Sequence, residues 1–355
     1  MAIYHLRATM ISRSQGRSAT AASAYRAAER IEDHRTGLVF DYERRSGVEH
    51  THILAPENAP EWVHNRAELW NAVEAAETRK NSQVAREVRI ALPHEFSQSE
   101  RIEAITAFCN EHFVSRGMVA DIAWHSPGQD GDERNYHAHI MLTTREITAE
   151  GFTTKNRDWN KVELLEEWRE GWANTVNSCF ERNNLIERID HRTLAEQREE
   201  ALERAAHAEE HGDRDIQVAQ TLRALELDRR PLPQLSVGAW QMKERGEDIE
   251  TVRKWYDVKA ATLEIKETVQ EIAGYFREVM GRGKEHVSSL ADRVREAASS
   301  MDFSAYAERA MDVVKGFRQE EQHEQREVEK QAQQLENERL EQERSSHSCG
   351  FSHEM

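Results

Sequence analysis

The chain has 355 residues, 32% of them charged, and its 48 basic against 65 acidic side chains leave a net charge of −17. That length can bury a core without disulfides, and no apolar run nears the roughly 20 residues a bilayer requires. Three scattered cysteines, Cys109, Cys179 and Cys349, exclude a disulfide framework or a CxxC zinc site and fit a reducing, cytoplasmic setting. The amino terminus lacks the apolar core and cleavage site of a secretion signal. With 25 basic against 33 acidic side chains through residue 200 and 23 against 32 after it, neither half is a basic glove for nucleic acid. Any DNA affinity must be local, and residues 1–30 supply a patch: Arg7, Arg13, Arg17, Arg26 and Arg30 against the single acid Glu29.

In chain order, residues 1–10 read as a strand and 18–33 as an alanine-rich helix with Ser18 or Thr20 as cap. A strand is expected near 38–44, a helix over 63–78 with Leu69, Trp70 and Val73 on one face, and a strand over 84–92 that stops at Pro93. Ser97, Ser99 and Glu100 open a helix that runs to about 115 and ends at Gly117. Strands 118–125 and 136–144, joined by a turn-rich segment, form a hairpin. A helix over 160–183 carries Leu164, Leu165, Trp168, Trp172 and Val176 at helical spacing, and the domain closes at 186–192. Strands interleaved with helices indicate an α/β or α+β sheet covered by helices. Beyond 195 the composition turns to Glu, Arg, Gln and Ala, broken by Pro231, Pro233 and Gly281–Gly283. Helices are expected over 250–280 and 285–345, fraying into a polar tail.

The chemistry concentrates in Asn135-Tyr136-His137-Ala138-His139. Side chains two apart on a strand share a face, so His137 and His139 project together while Ala138 and Ile140 enter the other layer. Hairpin geometry brings His125 close, and three neutral imidazoles can hold a metal with positions left open for phosphate oxygen. The bare motif equally fits polar residues on an exposed strand face. Tyr25 lies among Ala21, Ala22, Ala24, Ala27 and Ala28, a pattern that fits simple packing or a surface that admits a bulky strand. Its phenol attacks poorly unless a metal polarises the target. Glu87 is a candidate to fix a metal-bound imidazole from behind, or is a surface strand acid.

As a set, Met-Ala-Ile-Tyr-His-Leu at the start, Ser-Arg-Ser-x-Gly-Arg-Ser-Ala before Tyr25, Arg-Glu-x-x-x-Ala-Leu-Pro at 86–93, Asn135 to His139, Trp172-Ala173-x-x-x-Asn177 and Asp190-His191-Arg192 resemble the MobA/MobL family of plasmid relaxases. The resemblance covers residues 1–197. It implies an α+β fold of the HUH relaxase type, a central antiparallel sheet flanked by helices. It also implies a site- and strand-specific DNA relaxase that nicks plasmid DNA at an origin of transfer and starts conjugative mobilisation. By the resemblance Tyr25 is the nucleophile that stays joined to the DNA 5′ end. His125, His137 and His139 hold Mg²⁺ or Mn²⁺, Glu87 orients a ligand histidine, and Arg7, Arg13, Arg17 and Arg26 are DNA-binding candidates. Implied partners are the single-stranded origin, accessory mobilisation proteins and a type IV secretion coupling protein, in the cytoplasm and without membrane insertion.

The expected organisation is a relaxase domain over 1–197, a long-helical acidic extension over 198–340 and a disordered tail over 341–355. The extension has no Walker A sequence, so unwinding falls to other proteins. It docks accessory proteins or a second copy, or is an inert solvated extension. Rival readings are a rolling-circle replication initiator or transposase nuclease of the same chemistry, a non-catalytic metal-binding helical scaffold, and a zinc hydrolase, the last weakened by the lack of an HExxH arrangement.

Overall fold

In a computed structural model, which describes residues 4–128, 133–233 and 235–280, the chain divides into two units, Met1–His191 and Arg192–Met355. The expected helix over 285–345, the Gly281–Gly283 break, Cys349 and the tail over 341–355 lie outside the described residues.

The first unit is built on strands that bury alternate residues on opposite faces. They are β1 (Leu6–Ser12), β2 (Arg30–Asp33), β3 (Leu38–Asp41), β4 (Val48–Leu54), β5 (Gln83–Ala91), β6 (Ala120–His125), β7 (His137–Leu142), β8 (Arg145–Thr148) and β9 (Gly151–Lys155). Five of them form one antiparallel sheet in the order β1-β5-β7-β6-β4, while β2 pairs with β3 and β8 with β9. The helices are α1 (Ala19–Ala27), α2 (Arg66–Ala75), α3 (Gln98–His112) and α4 (Val162–Arg182).

One sheet face, through Val88, Ile90, Ala138, Ile140, Ile122 and Trp124, shares a core with Phe108 of α3 and Trp168, Trp172, Val176 and Phe180 of α4. Edge-on aromatic pairs lock it, Phe108 with Trp172 at 5.3 Å and Phe113 with Trp168 at 5.0 Å. The other face, through Ile11, Ala85, Met141 and Ile53, packs against Ala19 and Ala22 of α1 and Leu69, Trp70 and Val73 of α2. The expected α+β class, an antiparallel sheet flanked by helices and followed by a helical region, is what the chain adopts.

Most elements match their sequence signals. The capping box of Ser97 and Glu100 opens α3, and Gly117 closes the turn after it at φ 85. Three expectations change. The helix foreseen over 18–33 ends at Ala27, because Ala28 takes the left-handed conformation, φ 55, and turns the chain into β2. No glycine marks that stop. Strand β4, at the sheet edge, and the β8–β9 hairpin are additions to the expected elements.

The second unit holds α5 (Leu194–Glu210), α6 (Arg214–Leu227), α7 (Val237–Glu244) and α8 (Glu250–Met280). Thr193 and Glu196 form a capping box at the start of α5. Ala201, Ala205 and Ala208 are buried along one face of α5, where small side chains let α6 pack close. No helix among the described residues is long and apolar enough to cross a membrane.

Candidate metal centre

The site lies on the α1/α2 face of the sheet. In register, His125 of β6 stands opposite His137 of β7, and Ala123 opposite His139, so three imidazoles share one face of two neighbouring strands. Their ring centroids are 4.9–5.3 Å apart, and one nitrogen from each lies within 4.8 Å of the others. Burial is the main cause that lowers all three below the ordinary histidine value; for His125, which is 4% exposed, the result is about 4. Near pH 7 the cluster is therefore neutral and its lone pairs are free for a cation.

Hydrogen bonds choose the tautomers. His139 donates from Nδ1 to Glu87 Oε1 at 2.6 Å and His137 from Nδ1 to the Asn135 carbonyl at 2.9 Å, which leaves the lone pair of each ring on Nε2. His125 donates from Nε2 to the Arg26 carbonyl at 2.8 Å, which leaves its lone pair on Nδ1. Such a carboxylate or carbonyl behind each ligand is the usual companion of a metal-binding imidazole. The donor set fits a divalent cation, and three nitrogens suit Mn²⁺ better than Mg²⁺.

Glu87 faces this cluster from β5 and is 8% exposed. Burial pushes its carboxyl up, but the His139 and Arg26 hydrogen bonds and the Arg26 charge outweigh burial and hold it well below the usual carboxylate range. Arg26 donates through Nε to Glu87 at 2.6 Å, and Arg17 approaches to 3.8 Å. Arg26 thus touches the site twice, through its guanidinium on Glu87 and its carbonyl on His125. Sequence reasoning placed it only as a DNA contact.

Tyr25 precedes Arg26 on α1 and is 46% exposed. Arg45 lies over its ring, 3.9 Å from the centroid, and also donates to the Tyr25 carbonyl, while Tyr42 packs edge-on at 5.2 Å. The helix that carries Tyr25 is fastened from below. Glu74 accepts from Ala19 N at 2.7 Å, Asp33 accepts from Thr20 at 2.6 Å, and Asp121 accepts from Ser23 at 3.1 Å. Asp121 also accepts from Trp70 Nε1 at 2.7 Å and pairs with Arg66 at 2.9 Å. A lone acid inside the apolar run of β6 was a readable signal, since a buried carboxylate must be paired.

The remaining arginines separate. Arg13 is committed to Glu74 at 2.6 Å and to the carbonyls of Glu74, Glu77 and Arg79, a structural post between β1 and the end of α2. Arg7 is exposed on β1. The sheet therefore brings His125, His137, His139, Glu87, Arg26 and Arg17 together, with Tyr25 next along the helix, and engages Arg13 elsewhere.

A sequence profile of the MobA/MobL family matches residues 17–207. Mobilization protein MobL of Acidithiobacillus ferridurans is 35% identical over 231 residues, which are 57% of this chain and 60% of that protein. Probable mobilization protein MobA of Bifidobacterium longum is 31% identical over 240 residues, 56% of this chain and 41% of that protein. The solved structure reported as "Molecular Basis of Vancomycin Resistance Transfer in Staphylococcus aureus" matches with a TM-score of 0.51 and 36% identity, over 54% of this chain and all of that one. The matched region thus spans 60% or less of these two mobilisation proteins.

Proposed function

The chain belongs to the MobA/MobL family, and from that premise we propose that it is a conjugative DNA relaxase that nicks one strand at a plasmid origin of transfer. The observation that carries this reading is the convergence of three neutral imidazoles within 4.8 Å, backed by a buried carboxylate, on the face crossed by the helix of Tyr25. When bound there, a divalent cation, Mg²⁺ or Mn²⁺, would draw charge from a non-bridging oxygen of the scissile phosphate. The Tyr25 phenol gives up its proton to water and its oxygen forms a bond to phosphorus as the bond to the 3′ oxygen breaks; the 3′ oxygen takes a proton from water and leaves as a hydroxyl, and the protein remains on the 5′ end as a phosphotyrosine. Retention of that ester lets the same residues reseal the strand.

Each residue has a part in this reading. Arg45 sets a fixed positive charge beside the Tyr25 ring, which offsets the charge its oxygen carries into the attack. Glu87 and Arg26 hold His139 and His125 in their tautomers. Residues 1–197 form the relaxase domain, and the acidic helices beyond it contact accessory mobilisation proteins rather than DNA. The chain acts in the cytoplasm and delivers the nicked strand to a type IV secretion coupling protein.

The test is to incubate the purified chain with its supercoiled native plasmid, accessory proteins and Mn²⁺ or Mg²⁺, stop with detergent, and compare wild type with Tyr25→Phe. Relaxed circles with protein on the 5′ end are expected from wild type only and vanish with chelator. Equal nicking by both removes Tyr25 as nucleophile. No nicking by either favours the scaffold reading.

A further inference from the structure

Five arginines lie near the histidines, and not all have acidic partners. Arg17 and Arg26 face Glu87, and Arg45 sits on Tyr25. Arg7 and Arg89 stand apart: among the described residues neither side chain makes an ion pair or hydrogen bond. They also oppose each other directly. Arg7 pairs with Arg89 in the β1–β5 register, and Arg89 pairs with His139 in the β5–β7 register, so the three form one row across three strands on one face.

Like charges directly opposite on neighbouring strands repel. A lone arginine on an edge strand has an ordinary use, because it blunts pairing with other chains. That accounts for Arg7 but not for Arg89, which is half-buried on an interior strand beside a metal ligand.

His5 extends the pattern. It lies two residues before Arg7, and its backbone carbonyl accepts from Ala91 N at 3.0 Å; Ala91 in turn faces His137. Only a methyl group therefore stands between His5 and the histidine cluster in that row. His5 Nε2 is buried with no hydrogen-bond partner. Burial foremost, then Arg89, Arg7 and His137, lower this imidazole to about 4, so it stays neutral beside the two guanidiniums. A repelling cation pair leading from the histidine cluster to the β1 edge of the sheet is complete only with an anion in place.

We propose that Arg7 and Arg89 bind a non-scissile phosphodiester of the DNA strand, so that the DNA runs from the histidines across β5 and leaves over the β1 edge. The identity of the anion as DNA rests on the relaxase reading; the cation pair itself does not. Two forked guanidiniums grip a phosphodiester without reading its base, so the site sets the path of the strand and not its sequence.

The test measures binding of the full chain to a fluorescent single strand of about 20 nucleotides and mixed sequence, longer than a typical single-strand site. It is run in chelator over a salt series, for wild type, Arg7→Gln, Arg89→Gln and the double variant. Each substitution should lower the slope of log affinity against log salt by about 0.7, and the pair by about 1.4. Thermal unfolding without DNA adds a second readout. Relief of the repulsion should leave the midpoint of each single variant unchanged or higher. An unchanged slope in the double variant overturns the proposal, and so does a clear drop in midpoint, which would mean that the arginines serve the fold. Neither measurement needs metal or cleavage. A chain that fails to nick but loses the slope keeps the phosphate site without the relaxase reading, and nicking with an unchanged slope does the reverse.

Discussion

Substitution of Glu87 by Gln probes the buried link between the histidines and the arginines. The carboxylate contacts His139 Nδ1 at 2.6 Å, Arg26 Nε at 2.6 Å and Arg17 at 3.8 Å. The amide keeps the shape and can still accept the His139 proton, but it removes the charge opposite Arg26. To break a fully buried pair from one side costs about 3–5 kcal/mol. Here Arg26 retains its bond to the Ala22 carbonyl at 2.8 Å and 12% of its side chain reaches solvent, so the loss should be about 1–3 kcal/mol. Urea unfolding in chelator measures it. The sign with pH is fixed. A carboxyl held below its ordinary value of 4.5 stabilises the fold above that pH, and the contribution fades as pH falls below it, so the wild-type and variant curves should converge in acid. Loss of the support behind His139 should also weaken Mn²⁺ binding about 10–100-fold by calorimetry. Equal stability and equal Mn²⁺ affinity in the two proteins would refute the role given to Glu87.

Asp121→Ala should cost about 3–5 kcal/mol in urea unfolding, because it leaves Arg66 buried without its main partner and frees Trp70 and Ser23 beneath α1; a loss under about 1 kcal/mol would show that this network is not what fastens the helix. In Gly171→Ala the new Cβ would overlap His112 Nε2. The ring is buried against Phe108, with centroids 4.9 Å apart, so it must shift from that contact to make room. The overpacking cost of about 1–3 kcal/mol should exceed the gain of about 1 kcal/mol in helix propensity, and a stabilised variant would contradict the close approach of α3 and α4. His5 is neutral in the fold down to about pH 4 but takes a proton near 6.5 when unfolded. Stability should therefore fall as pH drops through that window, with a slope from this group of up to about 1.4 kcal/mol per unit. His5→Gln should be less steep there by that amount, and identical slopes would show that the imidazole is not desolvated.

Local pattern was enough for much of this protein. Period-two alternation put His137 and His139 on one face and Ala138 and Ile140 on the other, because a pleated strand permits nothing else. Ser97 with Glu100 marked the start of α3, and the spacing of Leu164, Trp168, Trp172 and Val176 drew the buried face of α4. The ordered set of motifs pointed to the family that the profile match shows.

What the sequence left open depends on partners far along the chain. The stop of α1 rests on a left-handed Ala28 without a glycine to announce it, and Arg66, which pairs with both Glu29 just after that stop and Asp121 of β6, lies in another element. Arg13 looks like any other member of the basic patch until Glu74, 61 residues later, is found to bury it. Strand β4 carries polar residues on both faces, so alternation is faint, and pairing with β6 decides it. The opposed Arg7 and Arg89 exist only once β1 and β5 are in register. Periodicity is a property of neighbouring residues and is written in the sequence; strand register and the desolvated charge pairs it creates join distant residues, so only the tertiary structure decides them.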